Sequence, residues 1–251
     1  MDVLRGDRAE WTFDGESVDI RFHTGAFKDA MLKELGRCTV PVSAISAVDF
    51  DLADSRRKRW TLRLRLHDRT DPYAAAGAML SEGSEPFRLV GPASSELVAE
   101  YLADQIRFAA HRAAEEAGGS GPDPRLATRL VRPLPLHIQT SEGAAVFDGA
   151  TVRLIWTGVS AAARKKKAHR REIRLSELTG VEWVPSDGWE YGHLRLNTVE
   201  AVRTEVTKPK HDLACLLCDE GKEGARALMM AATITAHLWA RDQGAMGELE
   251  S

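Results

Sequence analysis

The feature that most constrains this chain is that it repeats itself. Phe13-Asp14-Gly15 recurs as Phe147-Asp148-Gly149. Each copy sits between two alternating stretches: Ala9 to Phe13 and Ser17 to Phe22 in the first, Ala144 to Phe147 and Thr151 to Trp156 in the second. Asp-Gly between alternating apolar runs predicts a β-hairpin, because the turn needs a positive φ that glycine adopts without steric cost. Further on, Val40 to Phe50 matches Ile173 to Trp183, in the pattern apolar, x, apolar, Ser, x, apolar, Ser/Thr, small, Val, acid, aromatic. Trp60 to Leu66 matches Gly192 to Thr198. Alternating Leu and Arg there predicts a strand with one buried and one wet face. Each half closes with a strand and a helix: Pro86 to Val90 then Ser94 to Glu116, and His211 to Leu217 then Lys222 to Gln243.

The copies lie 134 residues apart at the hairpin, 133 at the middle strands and 126 at the helix. Four blocks in one order, with small length changes between them, predict a duplicated domain. The 251 residues then resolve into domain 1 over 1–117, a Gly/Pro-rich linker over 118–139, domain 2 over 140–244 and a tail over 245–251. Both domains fall in the usual size range. Gly118, Gly119 and Gly121 predict a flexible start to the linker, and Pro133-x-Pro135 a stiff, extended end, so the second half is expected to dock loosely on the first. A single eight-stranded enzyme barrel is disfavoured, because helices do not alternate with every strand. In the first closing helix Ser94 or Ser95 is the expected cap and Gly118-Gly119 the stop. Leu97, Val98, Tyr101, Leu102, Ile106 and Phe108 are the expected core face. In the second, Leu228, Ala231, Ala232, Thr235, Leu238 and Trp239 take that part, with Gly244 as the stop.

This series of strands, a basic loop, the paired Ser-x-apolar-Ser/Thr segment, a Leu-Arg-Leu strand and a final helix resembles bacterial pleckstrin-homology-like (PH-like) domains. The tandem form, with Phe147-Asp148-Gly149, Gly180-Val181-Glu182-Trp183 and Gly192-His193-Leu194-Arg195-Leu196 in the second copy, resembles an uncharacterised actinobacterial family of two such domains. The resemblance covers the chain apart from the linker and the end after Gln243. It implies an α+β, mainly β fold: two tandem PH-like domains, each a bent seven-stranded antiparallel sheet or barrel capped by a C-terminal helix. It also implies non-catalytic binding of phosphorylated head groups, peptides or protein surfaces. Relatives often carry a short helical C-terminal oligomerisation segment, and Gly244 to Ser251 does not read as one.

The net charge of −3 excludes a generally basic nucleic-acid-binding domain, so any anion site must be local. The sharpest local feature is Arg164 to Arg174, with seven Lys or Arg against one Glu. It reads as a loop between two strands, and Arg164, Lys165, Lys166, Lys167, Arg170 and Arg171 are its candidate ligands for phosphate or an anionic membrane. The matching stretch of the first half, Thr24 to Arg37, reads instead as a short amphipathic helix with Phe27, Met31, Leu32 and Leu35 on one side. It fits a lid on its own domain, a membrane-dipping helix or a partner-binding helix, and Phe27 and Met31 are candidate interface residues. Trp189 and Tyr191, in the turn Asp187 to Gly192, are candidate anchors of an interface. Arg56 to Arg59 is expected to pair with nearby acids such as Asp49, Asp51 and Asp54.

The chemistry-bearing motifs are missing. No hydrolase elbow, Walker loop, dinucleotide fingerprint or HExxH pair is present, so the expectation is no enzyme and no cofactor. Cys215-Leu216-Leu217-Cys218 with His211 invites a zinc or redox reading, but alignment of the copies sets Cys215 on Leu89, a core position of a strand, and Cys218 on Pro92. Ser43 and Ser176 recur inside what reads as a strand, where hydroxyls make local hydrogen bonds. Three cysteines are too few for a disulfide framework and fit a reducing compartment. With no signal-peptide pattern at the start, the expectation is a cytoplasmic protein, with a peripheral membrane role left open. The expected function is a binding or scaffolding module for a protein or peptide partner. The alternatives are peripheral binding of an anionic membrane or phosphorylated ligand through the basic loop, and a structural homo-oligomer.

Overall fold

The structure is a computed structural model that describes residues 2–23, 29–52, 58–118, 123, 125–199 and 207–249. It is an α+β fold dominated by four antiparallel sheets. The chain divides into two compact units: Met1–Asp71 with Ser81–Leu130, and Pro72–Leu80 with Val131–Ser251.

In the first unit, β1 (Asp2–Arg5), β2 (Ala9–Phe13), β3 (Ser17–Phe22) and β4 (Arg37–Pro41) form one sheet in that order. The hairpin predicted at Asp14-Gly15 joins β2 to β3. Gly15 has φ 97°, and Asp14 Oδ1 accepts from the amides of Glu16 and Ser17 at 2.9 and 2.7 Å. Between β3 and β4 lies α1 (Ala30–Leu35), whose first turn is capped by Asp29. A three-stranded sheet follows, of β5 (Ile45–Asp51), β6 (Arg59–Leu66) and β7 (Arg88–Pro92). Then α3 (Glu96–Glu116) packs on β1, β5 and β6. Alternation along the strands sends Trp11, Val18, Ile20, Val40, Trp60, Leu62 and Leu89 to the interior, each buried. Gly91 faces Trp60 so closely that a Cβ there would lie 2.1 Å from the indole ring.

The second unit repeats the plan. β8 (Leu136–Gln139), β9 (Ala144–Phe147), β10 (Thr151–Ile155) and β11 (Arg170–Arg174) form the four-stranded sheet. β12 (Leu178–Val184), β13 (Gly192–Thr198) and β14 (Cys215–Cys218) form the three-stranded one. α6 (Lys222–Leu249) packs on β8, β12, β13 and β14. The turn at Asp148-Gly149 is built as in the first unit, with Oδ1 accepting from Ala150 and Thr151 at 2.9 and 2.8 Å. The equivalence extends to an irregularity. Pairing of β5 with β6 slips between Ile45 and Ala47, and pairing of β12 with β13 slips between Leu178 and Gly180. The bulged residues are Ser46 and Thr179, the Ser/Thr of the repeated pattern, and their hydroxyls donate to carbonyls of the facing strand.

Several expectations change. The expected linker holds two elements, α4 (Leu126–Leu130), which packs on β4, and β8. The second unit also takes in α2 (Pro72–Ala76), a segment of the first repeat, which packs along α6. Gly244 does not stop the second helix: α6 runs on to Leu249 through most of the expected tail. One helix-interior glycine costs only about 1 kcal/mol, and no proline follows. Ser95 is the N-cap of α3, but its hydroxyl serves other partners, donating to the Pro92 carbonyl and accepting from Trp60 Nε1, both at 3.1 Å. Ser43 and Ser176 sit in short 3-10 turns (Val42–Ala44 and Leu175–Glu177), not inside strands.

The expected core face of α3 divides in two. Leu102 and Ile106 are buried, together with Ala99 and Ala103. Leu97, Val98, Tyr101 and Phe108 are exposed.

Candidate functional site

The basic segment of the second unit is built on a short helix. α5 (Ala163–Ala168) spans Arg164 to Lys167 and ends at His169, which has φ 62°. The first unit ends α1 at the equivalent place with Gly36. Arg164, Lys166, Lys167 and Arg170 are exposed, and Arg171 is half-buried. Lys166 Nζ donates to the Val159 carbonyl at 3.4 Å, and the Val159 side chain stands 92% exposed beside it. Arg153 on β10 pairs with Glu172 at 2.8 Å. The exposed positive charge is therefore held on one short helix and the start of β11.

Lys165 is the exception and a correction. It is completely buried, with Nζ 2.9 and 2.8 Å from the two carboxylate oxygens of Glu142, itself completely buried. Glu142 Oε2 also accepts from the Leu217 amide at 2.7 Å, and the ammonium lies 5.9 Å from the Trp156 ring centre. Lys165 thus ties α5 to β14 and is closed to any external anion. Its place is that of Leu32, the buried centre of α1 in the first unit. That alignment is the signal that could have found it.

The expected interface residues separate. Trp189 is 95% exposed, and Tyr191 is also exposed. Their turn is pre-formed: Asp187 Oδ1 accepts from the amides of Trp189 and Glu190 at 2.9 and 2.7 Å, and Ser186 Oγ donates to the Glu190 carbonyl at 2.8 Å. Those amides hold the Asp187 carboxyl below the usual carboxylate range. The turn repeats the hydrogen bonding of the two hairpins, and amides depress Asp14 and Asp148 in the same way. Met31 is a correction: it is buried in α1 with Leu32 and Leu35, so α1 is a lid on its own unit. Phe27 lies outside the described residues.

The thiols are interior. Burial pushes Cys38, Cys215 and Cys218 up to about 12. The Cys215 thiol donates to Asp212 at 3.2 Å and accepts from Arg195 Nε at 3.1 Å. Strand pairing also moves the alignment by one residue. Gly192 faces Cys218 as Trp60 faces Gly91, so Cys215 answers to Arg88 and not to Leu89. Among the described residues, no group of three or more His, Cys, Asp or Glu is placed to hold a metal ion. Nor, among them, is any helix long and apolar enough to cross a membrane.

Sequence reasoning missed one surface. A groove of about 1010 Å³ in the first unit is lined by Arg8, Arg59, Arg63, Arg65 and Arg88 with Asp7, Asp49, Asp51 and Glu82. Its charges answer one another: Arg59 pairs with Asp7, Arg65 with Asp49, and Arg88 with Glu82, while Arg63 pairs with Glu85. Arg59 therefore finds its acid on the chain before β2 and not at Asp49 or Asp51, while Asp54, Arg56 and Arg57 lie outside the described residues. The wet face of β6, with Arg63 and Arg65, was the available signal.

A family model described as a domain of unknown function (DUF4429) matches the chain twice, over residues 11–107 and 145–235. The chain belongs to this family. The two matched segments coincide with the two repeats, and DUF4429 therefore occurs here in tandem. A comparison with curated proteins found no match.

Proposed function

We propose that this tandem DUF4429 chain is a non-catalytic module of two PH-like domains that recognises a protein or peptide partner. Each repeat supplies four strands, then three strands, then a closing helix, which supports the PH-like reading. The observation that carries the binding role is Trp189. An indole 95% exposed on a turn fixed by Asp187 and Ser186 loses little entropy on docking and has a large apolar area to bury. Replacing Trp189 by a photo-crosslinking benzoylphenylalanine, in cells that naturally make the protein, tests this. A discrete adduct with another polypeptide is expected from position 189 and not from the exposed hairpin tip at Glu16. The same adduct pattern at both positions refutes the role of Trp189.

Val159 favours a second reading, peripheral binding to an anionic membrane. It presents an apolar tip beside Lys166, on the segment that also carries the exposed Arg164, Lys167 and Arg170. Each cation near such a surface contributes about 1 kcal/mol. Phosphatidylcholine vesicles with phosphatidylserine should pellet the protein at low salt, and Lys166→Ala with Lys167→Ala should reduce this. No pelleting at low salt ends that reading.

A further inference from the structure

The outer face of α3 is a second apolar stripe that the fold of its own unit does not use. At about 100° per residue, Leu97, Tyr101 and Phe108 fall within a narrow arc of the helix. That arc is opposite the buried Ala99, Leu102, Ala103 and Ile106. The three are 80, 56 and 66% exposed. The second unit treats the same positions differently. There Ala227 and Ile234, the equivalents of Tyr101 and Phe108, are completely buried, Glu223 stands half-buried in the place of Leu97, and α2 packs along the helix.

Charge decides what fits the α3 stripe. Along its flank, the first half of the helix carries Glu96, Glu100 and Asp104, and the second half Arg107 and His111, the latter 3.6 Å from Glu115 one turn on. Side by side in parallel, this flank would face the partner's other flank, where Val98 and Gln105 offer its acids no counter-charge. Antiparallel, the same flank meets itself reversed. One register then sets Leu97 against the partner's Phe108, Glu100 beside the partner's Arg107 and Glu96 beside the partner's His111. A face that satisfies i-to-j and j-to-i contacts at once suits a two-fold interface between identical chains. Arg107 is already held on this side, since its guanidinium bonds Asp104 and the Val48 carbonyl.

We propose that α3 pairs antiparallel with α3 of a second copy of this chain, about a two-fold axis near Ala103 and Asp104. This goes beyond the partner-binding role of Trp189, which belongs to the other unit. The full chain in an analytical ultracentrifuge should dimerise with concentration. Phe108→Asp should weaken the dimer by at least about tenfold. Glu100→Arg and Arg107→Glu should each weaken it, and the two together should restore it. Asp104→Cys, beside the axis, should oxidise to a disulfide-linked dimer while the buried native thiols stay unreacted, which keeps the test alive if Phe108→Asp fails to fold. A monomer at every concentration overturns the proposal. So does a dimer that Phe108→Asp and Glu100→Arg leave intact, or one that Asp104→Cys does not crosslink.

Discussion

Replacing Lys165 by methionine should unfold the second unit preferentially, and the structure gives the size of the effect. The ammonium and the Glu142 carboxylate are both completely buried, with both oxygens within 2.9 Å of Nζ. Removing one partner strands the other charge in a dry interior, at about 3–5 kcal/mol. Glu142 keeps one donor, the Leu217 amide, which places Lys165→Met toward the lower end. Removing both charges, as Glu142→Leu with Lys165→Leu, is a different case. A buried pair exchanged for apolar side chains is neutral or stabilising by about 1–4 kcal/mol. Against this stands the unpaired Leu217 amide, at about 1–3 kcal/mol. The double variant should therefore lie close to the parent protein and well above either single variant. Urea unfolding read by hydrogen exchange of the β14 amides isolates the second unit, and the Lys165→Met midpoint should fall by about 2 M. A loss under about 1 kcal/mol, or a double variant as unstable as the two singles added, refutes the reasoning. An anion-binding Lys165 would behave in the opposite way, losing a ligand and keeping its stability.

Gly91→Ala should destabilise the first unit by about 1–3 kcal/mol in thermal unfolding, because its Cβ has nowhere to go against Trp60. Burial holds His193 and His237 below the usual 6.5, so the unfolded chain takes up these protons first as pH falls. Their stability contribution is complete above about pH 6.5 and declines below it, and the urea midpoint of the second unit should be lower at pH 5.5 than at pH 7.5. A midpoint equal or higher at the lower pH contradicts this. With thiols pushed up to about 12, the native protein should stay unreactive to Ellman's reagent near pH 8 and release all three cysteines only in denaturant. Trp189→Ala should remove the most red-shifted tryptophan emission and change stability by less than about 0.5 kcal/mol.

What the sequence made legible was local and repeated. The Asp-Gly turns and the Leu-Arg strands each carry their own cause, a positive φ and a two-residue period; the repeated Ser/Thr shows in the sequence only as a match, and its bulge only in the strand pairing. α2 and α4 are five residues each, too short for a helical period to show. α3 is apolar on two sides, and periodicity alone cannot say which side meets the sheets. The run from Arg164 to Arg171 reads as solvated charge, and only the partner buried 23 residues away makes Lys165 an interior residue. Cys215 is misplaced by one residue because the helix offset of 126 does not hold at β14, where the pairing sets Cys215 on Arg88, and a single-residue slip exchanges the two faces of a strand.

The place of α2 also sets an order of events during synthesis. Its buried face, Pro72, Tyr73 and Ala76, is completed by α6, which begins at Lys222. At ribosomal rates of about 5–20 residues per second, α6 follows α2 by roughly 10–30 s. Throughout that interval the strands of the first repeat can pair while α2 waits without its cover. A chaperone that meets this nascent chain has a defined target and a defined window, and a ribosomal pause after the first repeat lengthens the exposure of that one segment above all others.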